Sequence, residues 1–237
     1  MKSARLAIEL NMALHMNYLS EMLLDKEPGL ASDLCKMLVK TGCMKFGVFK
    51  LKKGKLSPYY IDLRLIPSFP NSMNKIVSIY EDLAKNKIGT ENFDRISGIP
   101  TVGMTFASVL SYKLSKPFLY IKEATETHGR EKKIGGALSP GDRVLLVDDV
   151  VTSGKSIMEA ANIVRGEGGT ISDALVLIDR QEGGAENLTK VGVRLYSFTK
   201  ISEIAKELYE AELIDKRQYE EMVKQTTTKA VAKEVSS

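Results

Sequence analysis

The sequence predicts an α/β fold: a mostly parallel central sheet flanked by helices, with a small N-terminal hood containing helices and a β-hairpin. Three observations carry this reading. From about residue 75 to 200, short apolar, β-branched runs alternate with helically spaced segments, the order that builds parallel strands with crossover helices. One such run, Arg143 to Val147, leads into an acidic pair, a hydroxyl-rich loop and a helix. Before residue 65 the pattern differs, with two helical stretches and then alternating segments around a Lys-Gly-Lys turn. The expected division is 1–70 for the hood, 71–225 for the core and 226–237 for a small, polar, disordered tail.

The elements follow in order. From about Ala4 to Lys26, residues Leu6, Leu10, Ala13, Leu14, Tyr18 and Met22 recur at helical spacing, until Pro28-Gly29 breaks the pattern. A second helix is expected from about Ser32 to Thr41, with Asp33 in its first turn and Gly42 as its stop. From Phe46 the period shortens: Val48, Phe49 and Leu51 lead to Lys53-Gly54-Lys55, and the aromatic, β-branched run Ser57 to Arg64 completes a hairpin. Residues 71–87 read as a helix and Arg95 to Gly98 as a strand ending in the turn Gly98-Ile99-Pro100-Thr101-Val102-Gly103. A helix from about Met104 to Leu114 and a strand Phe118 to Lys122 come next. Glu123 to Gly136 is dense in charge, has His128-Gly129-Arg130 at its centre and shows no hydrophobic period. A connection that long favours a functional lid over a passive link. After the central strand and its helix, Gly168-Gly169 marks a stop, Ile171 to Ile178 is a strand, and Asp179-Arg180-Gln181-Glu182-Gly183-Gly184 follows it. A short helix, a strand Val193 to Phe198 and two helices (about 201–210 and 214–225) complete the chain.

Composition narrows the function classes. With 43% hydrophobic and 27% charged residues, the 237-residue chain is ordinary for a soluble globule. A net charge of +4 suits a polyanionic small substrate and is too weak, without a basic stripe, to argue for nucleic acid. The two cysteines, Cys35 and Cys43, make no disulfide framework, and with two histidines they argue against zinc. The methionines Met12, Met16, Met22, Met37 and Met44 read as core filling. No apolar run reaches membrane length, and Glu9 and Asn11 interrupt any signal-peptide core. A cytoplasmic protein with no membrane partner is expected.

The stretch Val147-Asp148-Asp149-Val150-Val151-Thr152-Ser153-Gly154-Lys155-Ser156 carries the chemistry. It puts two carboxylates and then a loop without acids at the carboxyl edge of a sheet, just ahead of a helix N-terminus. Such an edge binds phosphates. The carboxylates repel phosphate but suit neutral hydroxyls, or a Mg²⁺ reached through water. The loop offers backbone N–H groups and the hydroxyls of Thr152, Ser153 and Ser156. A ligand with a diol at one end and a phosphate at the other fits, which is a ribose 5-phosphate. A P-loop does not, because its first glycine would fall at Asp149. A Walker B strand lacks its Walker A loop. An ordinary strand-to-helix turn would leave two edge aspartates without partners.

On these residues the stretch resembles the phosphoribosyl pyrophosphate (PRPP) loop of the type I phosphoribosyltransferases. Three further motifs narrow the resemblance to the orotate phosphoribosyltransferases: Phe49 to Gly54 with Ser57-Pro58-Tyr59-Tyr60-Ile61-Asp62, the Gly98-Ile99-Pro100 turn, and Asp179 to Gly184. It covers about Phe46 to the C-terminal helices. It implies the type I phosphoribosyltransferase fold and displacement of pyrophosphate from the ribose of PRPP by N1 of orotate, with Mg²⁺. It also implies a homodimer in which the loop 123–136 reaches the neighbouring site. The PRPP-binding set is then Asp148, Asp149, Val150, Val151, Thr152, Ser153, Gly154, Lys155 and Ser156, with Lys122 and His128. Asp148, Asp149, Lys122 and His128 are the catalytic set, and Asp148 and Asp149 the residues facing the metal. Orotate is a flat anion, for which Tyr59-Tyr60 offer an aromatic wall. By resemblance Lys52, Arg180 and Thr152 also contact it.

The loop departs from the family pattern. Ile121-Lys122 stands where a basic pair is usual, a further family lysine falls near Thr125 or Glu126, and the spacing to His128-Gly129 is longer. Thr101 and Val102 replace a common Tyr-Lys or Tyr-Thr. Arg130, Lys132 and Lys133 are positioned in sequence to restore the missing charge. Two other readings share the fold. One is a PRPP-binding regulator without catalysis, though the N-terminal helices lack helix-turn-helix spacing. The other is a transferase for a neutral base, against which Lys52 and Arg180 argue.

Overall fold

Arg95 to Gly98 and Val144 to Val151 form the middle of a six-stranded sheet whose order is β5-β4-β3-β6-β7-β8. The structure is a computed structural model describing residues 29–50, 56–122 and 133–234, with side chains as far as 226. The helix expected over Ala4 to Lys26, the turn at Lys53-Gly54-Lys55, and residues 123–132 of the charged loop lie outside the described residues. The chain divides into two units, one of residues 1–65 and 203–223, the other of residues 66–202 and 224–237.

The first unit contains α1 (Leu30–Lys40), whose Leu34, Cys35, Leu38 and Val39 are buried on one stripe. Gly42, at φ +70, ends the turn after it. The hairpin strands β1 (Met44–Lys50) and β2 (Leu56–Ile61) pair antiparallel, Phe46 opposite Tyr59 and Phe49 opposite Ser57. The register shifts between Phe46 and Phe49, and Gly47 there takes φ +145, a backbone open to glycine. The unit closes with most of α6 (Ile201–Glu210) and the first half of α7 (Lys216–Glu234), which bury Ile204, Ala205, Leu208 and Met222.

The second unit is the sheet and its helices. Strands β3 (Arg95–Gly98), β4 (Phe118–Ile121), β6 (Val144–Val151), β7 (Asp173–Asp179) and β8 (Arg194–Lys200) are parallel, and β5 (Ile134–Gly135) runs antiparallel to β4. Burial on both faces explains the near-continuous apolar runs of β6 and β7. Helix α2 (Pro70–Leu83) leads into the sheet, and helices α3 (Val102–Leu114), α4 (Lys155–Gly166) and α5 (Gly184–Lys190) connect its parallel strands. The interior is Leu119, Ile121, Val144, Leu146, Ala174 and Val176 against Ile157, Ala161 and Val164 of α4.

Three boundaries differ from expectation. β6 runs through the acidic pair to Val151, because Val150 and Val151 keep pairing with Ile178 and Asp179. The helix expected over 71–87 ends at Leu83 and continues as a wider turn, Ala84–Ile88. α7 reaches Glu234, through the polar segment expected to be a disordered tail.

Candidate functional site

The sheet register brings part of the expected site to one edge. Tyr120, Gly98 and Val147 lie in one row across β4, β3 and β6. Past that row, at the carboxyl ends, come Lys122, the turn Ile99-Pro100-Thr101, the pair Asp148-Asp149 and, beyond β7, Arg180. Close approach shapes this edge. A Cβ on Gly98 would lie 2.3 Å from Met104 Cα, and one on Gly103 2.5 Å from the Val147 carbonyl oxygen. The N-terminus of α3 therefore packs directly on the backbone that carries the acids. The Pro100–Thr101 peptide is cis.

Asp148 is 9% exposed. Its Oδ1 accepts the Asp149 N–H at 2.9 Å. Burial first, and then the charge of Asp149 and a hydrogen bond with it, hold the Asp148 carboxyl well above the ordinary carboxylate range. Two carboxyls this close cannot both ionise at low cost in a dry site. Hydroxyl donors or a cation arriving with a ligand would relieve them. Among the described residues no cluster of three or more His, Cys, Asp or Glu could hold a metal by itself. The donor set therefore fits a Mg²⁺ carried in by a polyphosphate and met through water.

The loop behind the pair makes a concavity of about 50 Å³, lined by Asp148 and residues 150–157. Gly154 turns the chain into α4 at φ +77, a conformation that costs glycine little. No side chain caps the N-terminus of α4, so its first N–H groups face the loop as an anion site. Thr152 and Ser156 are exposed and Ser153 partly so. Val151 turns its side chain into the core and gives its carbonyl to the Arg180 N–H at 3.0 Å, so it faces the loop only through its backbone. Val150 is half-buried. Lys155 pairs with Glu159 at 3.5 Å on the exposed side of α4.

Arg180 pairs with Glu182 at 3.1 Å, and both side chains are about 10% exposed. Asp179, its carboxyl raised chiefly by burial, accepts the Gln181 N–H at 2.7 Å. Lys122 stands just past β4, where its N–H meets the Lys133 carbonyl at 2.9 Å. In the first unit Tyr59 is 1% exposed, whereas Tyr60 is half-buried and stacks on Phe49 with ring centroids 5.7 Å apart. Of the two expected wall residues, Tyr60 is the one with an accessible ring. Lys52 and His128 lie outside the described residues, as do Arg130 and Lys132.

One residue at this site escaped the sequence reading. Tyr80 of α2 is fully buried, and its hydroxyl donates to the Asp148 carbonyl at 2.7 Å. Its ring sits on the apolar face with Ile76, Val77, Ile79 and Leu83. The available signal was a tyrosine where that face needs only a hydrocarbon.

Fold and loop together define a phosphoribosyltransferase. The phosphoribosyl transferase domain family matches residues 71–202. The orotate phosphoribosyltransferase of Sulfolobus acidocaldarius is 41% identical over 182 residues, 77% of this chain and 90% of the relative. Among solved structures, orotate phosphoribosyltransferase from Aeropyrum pernix has a TM-score of 0.68 at 33% identity, covering 75% of this chain and 98% of that one. Leishmania donovani UMP synthase has a TM-score of 0.74 at 30% identity over 84% of this chain, which spans 42% of that protein. The chain belongs to the orotate phosphoribosyltransferase family.

Proposed function

We propose that the chain performs its family's transfer with the acidic pair of β6 and the loop Thr152–Ser156. The reaction moves the 5-phosphoribosyl group from PRPP to N1 of orotate, giving orotidine 5′-monophosphate and pyrophosphate in pyrimidine biosynthesis. The observation that carries the assignment of residues is the juxtaposition of two crowded carboxyls with an acid-free, uncapped helix entrance at one sheet edge.

In this reading Asp148 and Asp149 accept the 2′- and 3′-hydroxyls, and backbone N–H groups of residues 152–156 with the Thr152, Ser153 and Ser156 hydroxyls take the 5′-phosphate. The transition state places positive charge on the ribose ring, which the nearby carboxylates stabilise. Bound Mg²⁺ supplies charge neutralisation for the leaving pyrophosphate. Lys122 and His128, with Arg130, Lys132 and Lys133, contribute cations toward the pyrophosphate. Closure of loop 123–136 excludes water, and in a homodimer it serves the neighbouring site. Arg180 leaves Glu182 to meet the orotate carboxylate with a planar fork. Lys52 and Tyr60 also contact orotate, and Thr152 reaches both ligands. The enzyme works in the cytoplasm; no helix among the described residues is long and apolar enough to cross a membrane.

The test is direct. Protein, Mg²⁺, PRPP and orotate are mixed, and orotate absorbance is followed. Turnover with orotate and none with uracil or hypoxanthine is expected. PRPP binding without turnover would replace this reading with a regulator.

A further inference from the structure

The Tyr80 hydroxyl does more than fill space. It donates to the Asp148 carbonyl of β6 at 2.7 Å. The two strands pair Asp148 with Val176 and Val150 with Ile178 in one register. In that register the Leu177 N–H and the Asp148 carbonyl belong to the same rung of the ladder. A side chain from α2 thus engages that rung at the peptide joining Asp148 to Asp149. The ring is held in turn by Phe106 of α3, with centroids 5.6 Å apart. No other side chain is shown donating to that carbonyl among the described residues.

We propose that Tyr80 is a positioning residue for phosphoribosyl transfer: its hydroxyl fixes the Asp148–Asp149 peptide and so aims both carboxylates at the ribose. This rests on the reading in which that pair holds the 2′- and 3′-hydroxyls. A peptide plane in mid-strand has two neighbours in the sheet and little freedom. Here β3 has already ended, its last contact being the Ile99 N–H on the Val147 carbonyl at 2.9 Å. From Asp148 onward β6 has a strand on one side only. The tyrosine adds a hydrogen bond on the β7 side, at the rung that still holds this peptide.

The experiment compares three variants by PRPP and orotate kinetics and by melting temperature. Tyr80→Phe removes the hydroxyl and keeps the ring. Its KM for PRPP should rise about tenfold, the effect of one lost hydrogen bond, while the KM for orotate stays within about twofold of wild type. Phe106→Leu loosens the same packing and keeps the hydroxyl; it should lower the melting temperature and leave the KM for PRPP in place. Asp149→Asn tests the underlying reading. If Asp149→Asn changes PRPP kinetics and Tyr80→Phe does not, Tyr80 is structural only and the proposal falls alone. If Asp149→Asn changes nothing, the acid-pair reading falls and takes the proposal with it. Should Tyr80→Phe fail to fold, NMR of the buried Tyr80 hydroxyl proton in the wild-type protein decides. It should shift when ribose 5-phosphate binds, and a signal unmoved at saturation overturns the proposal.

Discussion

Replacing Asp149 by asparagine should make the protein more stable and less active. The reason lies in the environment of its neighbour. Asp148 is 9% exposed, and after burial itself the charge of Asp149 is the largest influence raising its carboxyl. Removing that charge relieves Asp148. If the relief amounts to one pKa unit, the folded state gains about 1.4 kcal/mol. For a chain of this length that lifts the melting temperature by roughly 3–6 °C. Binding moves the other way. A charged acceptor is exchanged for a neutral amide facing a ribose hydroxyl, a loss of roughly 1.5–3 kcal/mol, or about 10- to 150-fold in kcat/KM for PRPP. The two readouts are differential scanning calorimetry without ligand and initial rates at varied PRPP. A lower melting temperature would refute the claim that the pair is crowded. Unchanged kcat/KM would refute the claim that it grips the sugar.

Other outcomes follow from the same structure. Arg180→Lys keeps the charge but loses the planar fork that now meets Glu182 at 3.1 Å; the KM for orotate should rise roughly 10- to 100-fold with that for PRPP unaltered, and equal shifts in both would remove Arg180 from the base pocket. Gly184→Ala places a Cβ 2.7 Å from the Thr152 carbonyl oxygen and 2.7 Å from Val151 Cγ2, so it presses on the loop from behind. It should cost about 1–3 kcal/mol of stability and weaken PRPP binding; unaltered urea midpoint and KM would show that the loop yields freely. Burial pushes the Cys35 thiol up to about 12. The folded state therefore keeps it protonated while the unfolded chain ionises near the ordinary value of 9.0. Its contribution is fully present below that value and is lost as pH rises toward about 12. The wild-type urea midpoint should thus fall more steeply between about pH 8.5 and 10.5 than that of Cys35→Ala, and parallel curves would contradict it.

What the sequence made legible is what local chemistry controls. The alternation of apolar runs and helical spacing was enough for a mostly parallel sheet, since each strand buried on both faces must be apolar throughout. The hydroxyl-rich loop after Asp149 was legible because a bend into a helix needs Gly154 and leaves donors exposed. The strand end was less so: the acids suggested that β6 stops, yet Val150 and Val151 carry it on by pairing with β7. That pairing is a property of the partner strand and is invisible in β6. Arg180 was expected from the resemblance to meet the substrate, and the structure pairs it with Glu182, a contact set by the two residues' arrangement after β7.

Tyr80 shows where such reading stops. Helical periodicity assigns its ring correctly to the apolar face of α2, and nothing local distinguishes it from phenylalanine. Its hydroxyl has a meaning only through a carbonyl 68 positions away, reached after two crossovers have folded. A buried hydroxyl must find a partner or cost the fold stability, so a tyrosine in an apolar stripe predicts that a polar group lies across from it, though not which. At this sheet edge the group is the backbone of the acidic pair. The acidic pair and its loop are thus found by pattern, while the tyrosine behind them is found only when distant segments are seen together.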